Sequence, residues 1–279
     1  MTSAQHSRAD RLAQFSHDGL TFDVRDEGPQ DGPAVVLLHG FPQDSQTWND
    51  VEPLVHTAGL RTLALDQRGY GSDNAPRSAR SYGLDAIAGD VLAMLDAAGI
   101  DRAHVVGHDW GGAVAWHLAG TSPRVMSMTV LSTPHPAALT WSFTHSRQGL
   151  SSYYMALFQV PRLPERLLAP RLHAVYLKSG LPPQHAARYA DRFADPATLT
   201  GPMNWYRAVP RSRTETPRSW VPTTYIWGNG DFALGRAAAQ RTAQYARSEY
   251  RFIEVDAGHW LPETHPALVA EEIIRRVGD

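Results

Sequence analysis

The chain has no cysteine, so disulfides, thiolate metal sites and thiol nucleophiles are excluded together. An excess of basic residues is missing too. Lys and Arg number 26 against 28 Asp and Glu, a formal charge of −2 at neutral pH, so nothing provides the electrostatic footprint that nucleic-acid binding requires. No apolar run approaches the ~20 residues needed to cross a bilayer, and residues 1–18 are polar, without the apolar segment of a signal peptide. The expectation is a cytoplasmic protein with neither a nucleic-acid nor a membrane partner. None of the 13 histidines falls in an HExxH arrangement, which would turn two imidazoles and a carboxylate onto one helical face, so no metal is expected.

What is present reads as a packed α/β chain. Gly (22) and Pro (20) together stay well below the roughly 25 to 30% that marks low-complexity disorder. A length of 279 residues allows one large domain with an insertion or two ordinary domains. Short apolar runs at 34–38, 60–65, 103–106, 127–131, 223–227 and 250–255 read as strands. Most lack polar alternation, which implies burial on both faces, as in a parallel sheet covered by helices. Helical spacing at 84–98, 111–120 and 268–277 supplies the intervening helices of a βαβ order. The alternating run 20–25 is expected to begin an antiparallel hairpin. Between the strands ending at Leu131 and starting at Thr223 the texture changes, with many Pro, Arg and aromatic residues. The segment opens with Thr133-Pro134-His135-Pro136 and closes near Pro217, proline-marked edges that suit a hinge. Open α/β sheets bind ligands outside the carboxyl ends of their strands, so an insertion there is expected to wall the site as a lid. The expected division is a core of residues 1–134 and 217–279 and a helical cap of residues 135–216.

The most informative segment is Gly107-His108-Asp109-Trp110-Gly111, a G-x-D-x-G turn between a strand and a helix. In the serine version of this turn, small residues two before and two after the nucleophile let the backbone bend sharply and expose the reactive side chain. A carboxylate in that place needs no deprotonation and can attack a saturated carbon to form an alkyl ester. The bland alternative is an Asp that caps the helix. Asp231 and His259 each follow a strand through a glycine-containing loop, giving the chain order nucleophile, acid, histidine. Asp256 is the rival acid, but it shares the loop of His259. His39-Gly40-Phe41-Pro42 follows the strand at 34–38, where a backbone N–H of an oxyanion hole would be contributed. The two donors are assigned to the N–H groups of Phe41 and Trp110.

These residues resemble an α/β-hydrolase-fold epoxide hydrolase over nearly the whole chain. The matching segments are HGFP at 39–42, DQRGYGSD at 66–73, GHDWGG at 107–112, GNGDF at 228–232 and GHW at 258–260. The first three also occur, with variations, in haloalkane dehalogenases. In the insertion, Tyr154 with Phe158-Gln159, and Gly201-Pro202-Met203-Asn204-Trp205-Tyr206-Arg207, resemble the family's two lid tyrosine segments. One departure is that Ser72 follows Gly71 directly, where family members often carry one more residue.

The resemblance implies an α/β-hydrolase fold, a mostly parallel sheet flanked by helices with a helical cap, and a cofactor-independent enzyme. It implies that Tyr154 and Tyr206 donate hydrogen bonds to the epoxide oxygen while Asp109 attacks. His259, oriented by Asp231, would then activate water to release a vicinal diol. His39, Pro42, Trp141, Tyr153, Phe158 and Trp205 are candidates to line the substrate pocket. The aromatics of the insertion favour an apolar epoxide, although the same rings would also serve as packing. The partners are then a small epoxide and water, with the protein a monomer or homodimer. Two alternatives stay open at this point: a haloalkane dehalogenase, against which Phe41 stands where an Asn would help, and a ligand receptor that has kept the fold without turnover.

Overall fold

Strands with no polar alternation can be buried only if both faces of their sheet are covered, and that is how the chain folds. The computed structural model describes residues 11–279; the polar stretch read at 1–18 lies, through residue 10, outside the described residues. Among the described residues one sheet is formed by β1 (Gln14–His17), β2 (Leu20–Glu27), β3 (Ala34–Leu38), β4 (Arg61–Leu65), β5 (Ala103–His108), β6 (Val125–Leu131), β7 (Thr223–Gly228) and β8 (Tyr250–Val255). Their spatial order is β1-β2-β4-β3-β5-β6-β7-β8. The pairs β1/β2 and β2/β4 are antiparallel, and β4, β3, β5, β6, β7 and β8 run parallel.

Strand β3 shows the logic of the continuous apolar runs. Val36 and Leu38 join a core layer with Val105, Val91 and Trp116, whereas Val35 and Leu37 join the opposite layer with Val55, Val269 and Ile273. The first layer is covered by α2 (Leu84–Ala97) and α3 (Trp110–Thr121), the second by α1 (Glu52–Thr57) and the C-terminal α13 (Pro266–Gly278). Truncating a fully buried side chain such as Leu37 to Ala costs about 2–5 kcal/mol through lost transfer energy and the cavity left behind.

The run at 20–25 closes the hairpin instead of opening it. The preceding strand, Gln-Phe-Ser-His, carries a single apolar residue, Phe15, which stacks on Phe22 with ring centroids 4.9 Å apart. Asp18 and Gly19 make the turn with φ of 53° and 73°, the paired positive values that two-residue hairpins favour.

The segment between β6 and β7 is helical: α4 (Pro136–His145), α5 (Gln148–Ser151), α6 (Tyr153–Leu157), α7 (Leu163–Leu168), α8 (Leu172–Lys178), α9 (Pro183–Arg192) and α10 (Thr200–Ala208). Its two proline-marked edges meet, since His135 Nε2 donates to the Pro217 carbonyl at 3.0 Å. After β7 come α11 (Arg236–Arg241) and, beyond β8, α12 (Leu261–Thr264) before α13. Among the described residues no helix is long and apolar enough to cross a membrane.

Two features of this topology position the site. The chain leaves β3 toward β4 on one side, while β5 lies on the other side of β3, so the carboxyl ends of β3 and β5 flank the point where strand order reverses. Helix α10 is drawn against the loop after β4 by a backbone contact that only two glycines permit: a Cβ on Gly201 would lie 2.1 Å from the Gly69 carbonyl oxygen. The Trp205 indole N–H also donates to the Arg68 carbonyl at 2.8 Å, and Arg68 is itself forked onto Asp90. The shortened Gly71-Ser72 stretch of this loop closes on Asn74, whose side-chain oxygen accepts from the N–H groups of Gly69 and Gly71 at 3.0 and 2.8 Å.

Candidate active site

Strand β5 ends in a turn whose geometry explains its glycines. Asp109 has φ +49°, a left-handed conformation that is costly for a residue with a Cβ and that clusters at functional sites. A Cβ on Gly107 would lie 2.3 Å from the Gly111 carbonyl oxygen, and one on Gly111 would lie 2.2 Å from that of Leu38. The side chain of Asp109 makes no capping bond to α3. It points instead toward the loop after β3, where Oδ1 accepts the Phe41 N–H at 2.8 Å. The Trp110 N–H faces the same carboxylate. Gly40 is what lets the loop come so near, because a Cβ there would sit 2.4 Å from that of Asp109.

His259, on the loop after β8, stands between two carboxylates. Its Nδ1 is 2.8 Å from Asp231 Oδ2 and its Nε2 is 3.7 Å from Asp109 Oδ2. Asp231 is held in turn, with Oδ1 accepting the N–H groups of Ala233 at 2.8 Å and Leu234 at 3.0 Å. Asp231, and not Asp256, is thus the acid against the histidine. Burial alone would lower the imidazole, but Asp231, then Asp109 and Glu263, overturn it and raise it to about 9. Burial pushes the Asp109 carboxyl up, while His259 and the N–H donors of Phe41 and Trp110 pull it back toward the ionised form.

The opposite wall comes from the insertion. Tyr206 on α10 is buried, and Tyr154 on α6 is half-buried with its ring centroid 6.0 Å from that of Tyr206. Tyr206 is fixed edge-on against Phe41 at 5.1 Å and Trp110 at 5.0 Å. Burial first, and then the neighbouring Asp109 charge among other groups, pushes both phenols above the ordinary tyrosine range, so both remain neutral donors at pH 7.

A cavity of about 520 Å³ joins these walls. Asp109, His259, Tyr154 and Tyr206 line it, as do the anticipated Phe41, Pro42, Tyr153 and Phe158. Tyr153 sits at the mouth, 73% exposed. Three candidates lie elsewhere. His39 is fully buried and accepts the Gln67 N–H at 3.1 Å, which turns its ring away from the cavity toward the loop after β4. Trp205 is turned to the Arg68 carbonyl. Trp141 stacks on His145 at 4.4 Å, with the Arg241 guanidinium 4.1 Å from its ring centroid.

Sequence reasoning also missed the supports beneath the site. Gln43 Oε1 accepts the Gly40 N–H at 3.2 Å and bonds His108 Nδ1 at 2.9 Å, while its amide donates to Glu263 at 2.6 Å. His108 Nε2 and Ser132 Oγ both hold the His259 carbonyl, at 2.9 and 2.8 Å. A histidine beside the nucleophile and a polar residue after HGFP were the available signals.

Comparison with known proteins identifies the fold family. Residues 33–266 match the alpha/beta hydrolase fold family. The chain is 36% identical over 270 residues to the AB hydrolase superfamily protein YfhM of Bacillus subtilis (strain 168), covering 92% of this chain and 94% of that one. It is 31% identical over 274 residues to Epoxide hydrolase 4 of Mus musculus, covering 92% and 76% respectively. A solved structure of novel epoxide hydrolases of the alpha/beta hydrolases superfamily, from metagenomes of hot environments, superposes with a TM-score of 0.80 at 29% identity, covering 95% of this chain and 96% of that one. The chain belongs to the α/β-hydrolase fold family, as the sequence motifs led us to expect.

Proposed function

We propose that this protein is an epoxide hydrolase that converts an apolar epoxide to a vicinal diol, with residues 135–216 acting as a cap over a core of residues 1–134 and 217–279. One observation carries the reading: a carboxylate on a strained turn faces two phenols across a single, largely apolar cavity. A bare nucleophile would serve many substrates. A pair of neutral hydroxyl donors opposite it serves a substrate in which oxygen leaves as an alkoxide while remaining attached to the molecule.

In the first step an Asp109 oxygen attacks one ring carbon, and the C–O bond breaks toward Tyr154 and Tyr206. The proton inventory then closes. The resting histidine is protonated below about pH 9, partly because Asp109 is charged. Esterification removes that charge, so His259 releases its proton more readily, and the former ring oxygen gains one. The neutral imidazole next takes a proton from water, which attacks the ester carbonyl of Asp109. The oxyanion that forms is met by the Phe41 and Trp110 N–H groups. As it collapses the ester C–O bond breaks, the departing oxygen takes the proton of the newly formed Asp109 carboxyl group, and the diol leaves behind a carboxylate and a protonated His259. Asp231 orients the ring throughout.

The test is a panel of styrene-type, terminal aliphatic and trans-disubstituted epoxides beside a haloalkane, scored for diol and for halide. Diol without halide is the expected outcome. Halide release without diol would overturn the reading in favour of a dehalogenase.

A further inference from the structure

Large exposed apolar side chains are not scattered evenly over this molecule. Tyr153, Leu157, Leu167, Val175 and Phe232 are each at least 40% exposed and line the cavity, so they form its rim. Leu150, Val160 and Leu163, also exposed, belong to the same stretch of chain from α5 to α7. Exposed apolar area around an opening marks an interaction surface more often than chance does.

The charges of the segment that carries most of this rim are one-sided. Between residues 147 and 178 the cations are Arg147, Arg162, Arg166, Arg171 and Lys178, all exposed, and the sole carboxylate is Glu165. That carboxylate is buried and held by Arg207 at 2.8 Å. Among the described residues none of the five cations is in an ion pair, although the whole chain is net negative. Arg171 precedes α8 as its N-terminal cap and Lys178 ends it, four residues before and three after the cavity-lining Val175, so both flank the side of the helix that meets the mouth.

We infer that this rim docks the protein, mouth down, on an anionic lipid surface, so that apolar substrate enters directly from the bilayer. The apolar collar would sit at the headgroup boundary and the cations among lipid phosphates. A second copy of this chain fits less well. Under two-fold symmetry the same patch meets itself, which would oppose five cations to five and close both mouths.

Co-sedimentation with vesicles reads this without any turnover, so its failure is separate from failure of the epoxide reading. Wild-type protein is expected to bind vesicles of mixed phosphatidylcholine and phosphatidylglycerol, to ignore phosphatidylcholine alone, and to be released by salt. The double variant Arg162→Glu, Lys178→Glu should bind at least about 25-fold more weakly, from roughly fivefold per lost cation. The double variant Leu150→Ser, Leu163→Ser should also lose binding. Both should keep the wild-type circular dichroism and the wild-type rate on a water-soluble epoxide. Absence of binding to anionic vesicles, or binding that both variants retain, overturns the proposal. So does a dimer dispersed by the leucine substitutions in a protein that ignores vesicles.

Discussion

Helices α6 and α10 each bring one phenol to the same cavity, yet they are supported in opposite ways. Every residue of α10 from Gly201 to Ala208 is buried, and its glycine contact and its tryptophan tie it to the core. Helix α6 has no buried residue. Its C-terminal end hangs from α10: Arg207 donates to the carbonyls of Phe158 at 2.8 Å and Val160 at 2.9 Å, and Gln159 donates to that of Tyr206 at 2.9 Å. Tyr206 is therefore placed by the core, and Tyr154 is placed by the neighbourhood of Tyr206. A donor fixed before substrate arrives contributes more to a developing charge than one that must be brought into line.

The largest effect gives the background for testing that contrast. His259→Gln should lower steady-state diol formation by about 10⁴-fold or more, as for loss of a catalytic histidine elsewhere. The alkyl-enzyme should accumulate and intact-protein mass rise by one substrate. No adduct in the presence of bound substrate would remove Asp109 from its role. In this background adduct formation reports ring opening alone. There Tyr206→Phe should slow alkylation by about 10²-fold and Tyr154→Phe by only about tenfold. Equal losses would break the comparison, and a reversed order would make α6 the better-positioned helix.

Proton binding separates the core from the insertion in a second way. Tyr154 and Tyr206 stay protonated at working pH, whereas His259 binds its proton more tightly folded, at about 9, than the unfolded value near 6.5. The sign follows from linkage. Stability from this group is fully present below about pH 6.5 and is lost as pH rises through about 9, up to about 3 kcal/mol. Chemical denaturation of the wild type and of Asp231→Asn across that window checks it. The wild type should weaken with rising pH and the variant should show a shallower slope. Identical slopes would mean that Asp231 does not hold the charged imidazole.

The core half of the site was read more completely from sequence than the half supplied by the insertion, for a physical reason. Its residues sit on strand ends, where burial on both faces and the glycines of a tight turn constrain the chain locally. The insertion depends on which way each helix is rotated. Adjacent residues on a helix differ by about 100°, so Trp205 faces the Arg68 carbonyl while Tyr206 faces the cavity. Tyr153 and Tyr154 divide the same way, one at the mouth and one inside. The apolar lining from α7 and α8, such as Leu168 and Leu172, has spacing that ordinary packing would also produce. His39 was misplaced because the N–H that its ring accepts, that of Gln67, comes from a loop 28 residues further along the chain.

Trp141 gives the smallest effect and the cleanest check on where the cavity ends. Its position in an aromatic-rich insertion made it a pocket candidate, but it packs between His145 and Arg241, outside the lining. Trp141→Leu should cost about 0.5–1 kcal/mol, the scale of a cation–π contact at a partly exposed site. The ratio of kcat/KM between aryl and alkyl epoxides should not change, whereas Phe158→Leu, inside the cavity and against Tyr206 at 5.0 Å, should alter it. Should Trp141→Leu shift that preference, α4 would have to approach the bound substrate, and the division between a fixed α10 and a dependent α6 would need a third element.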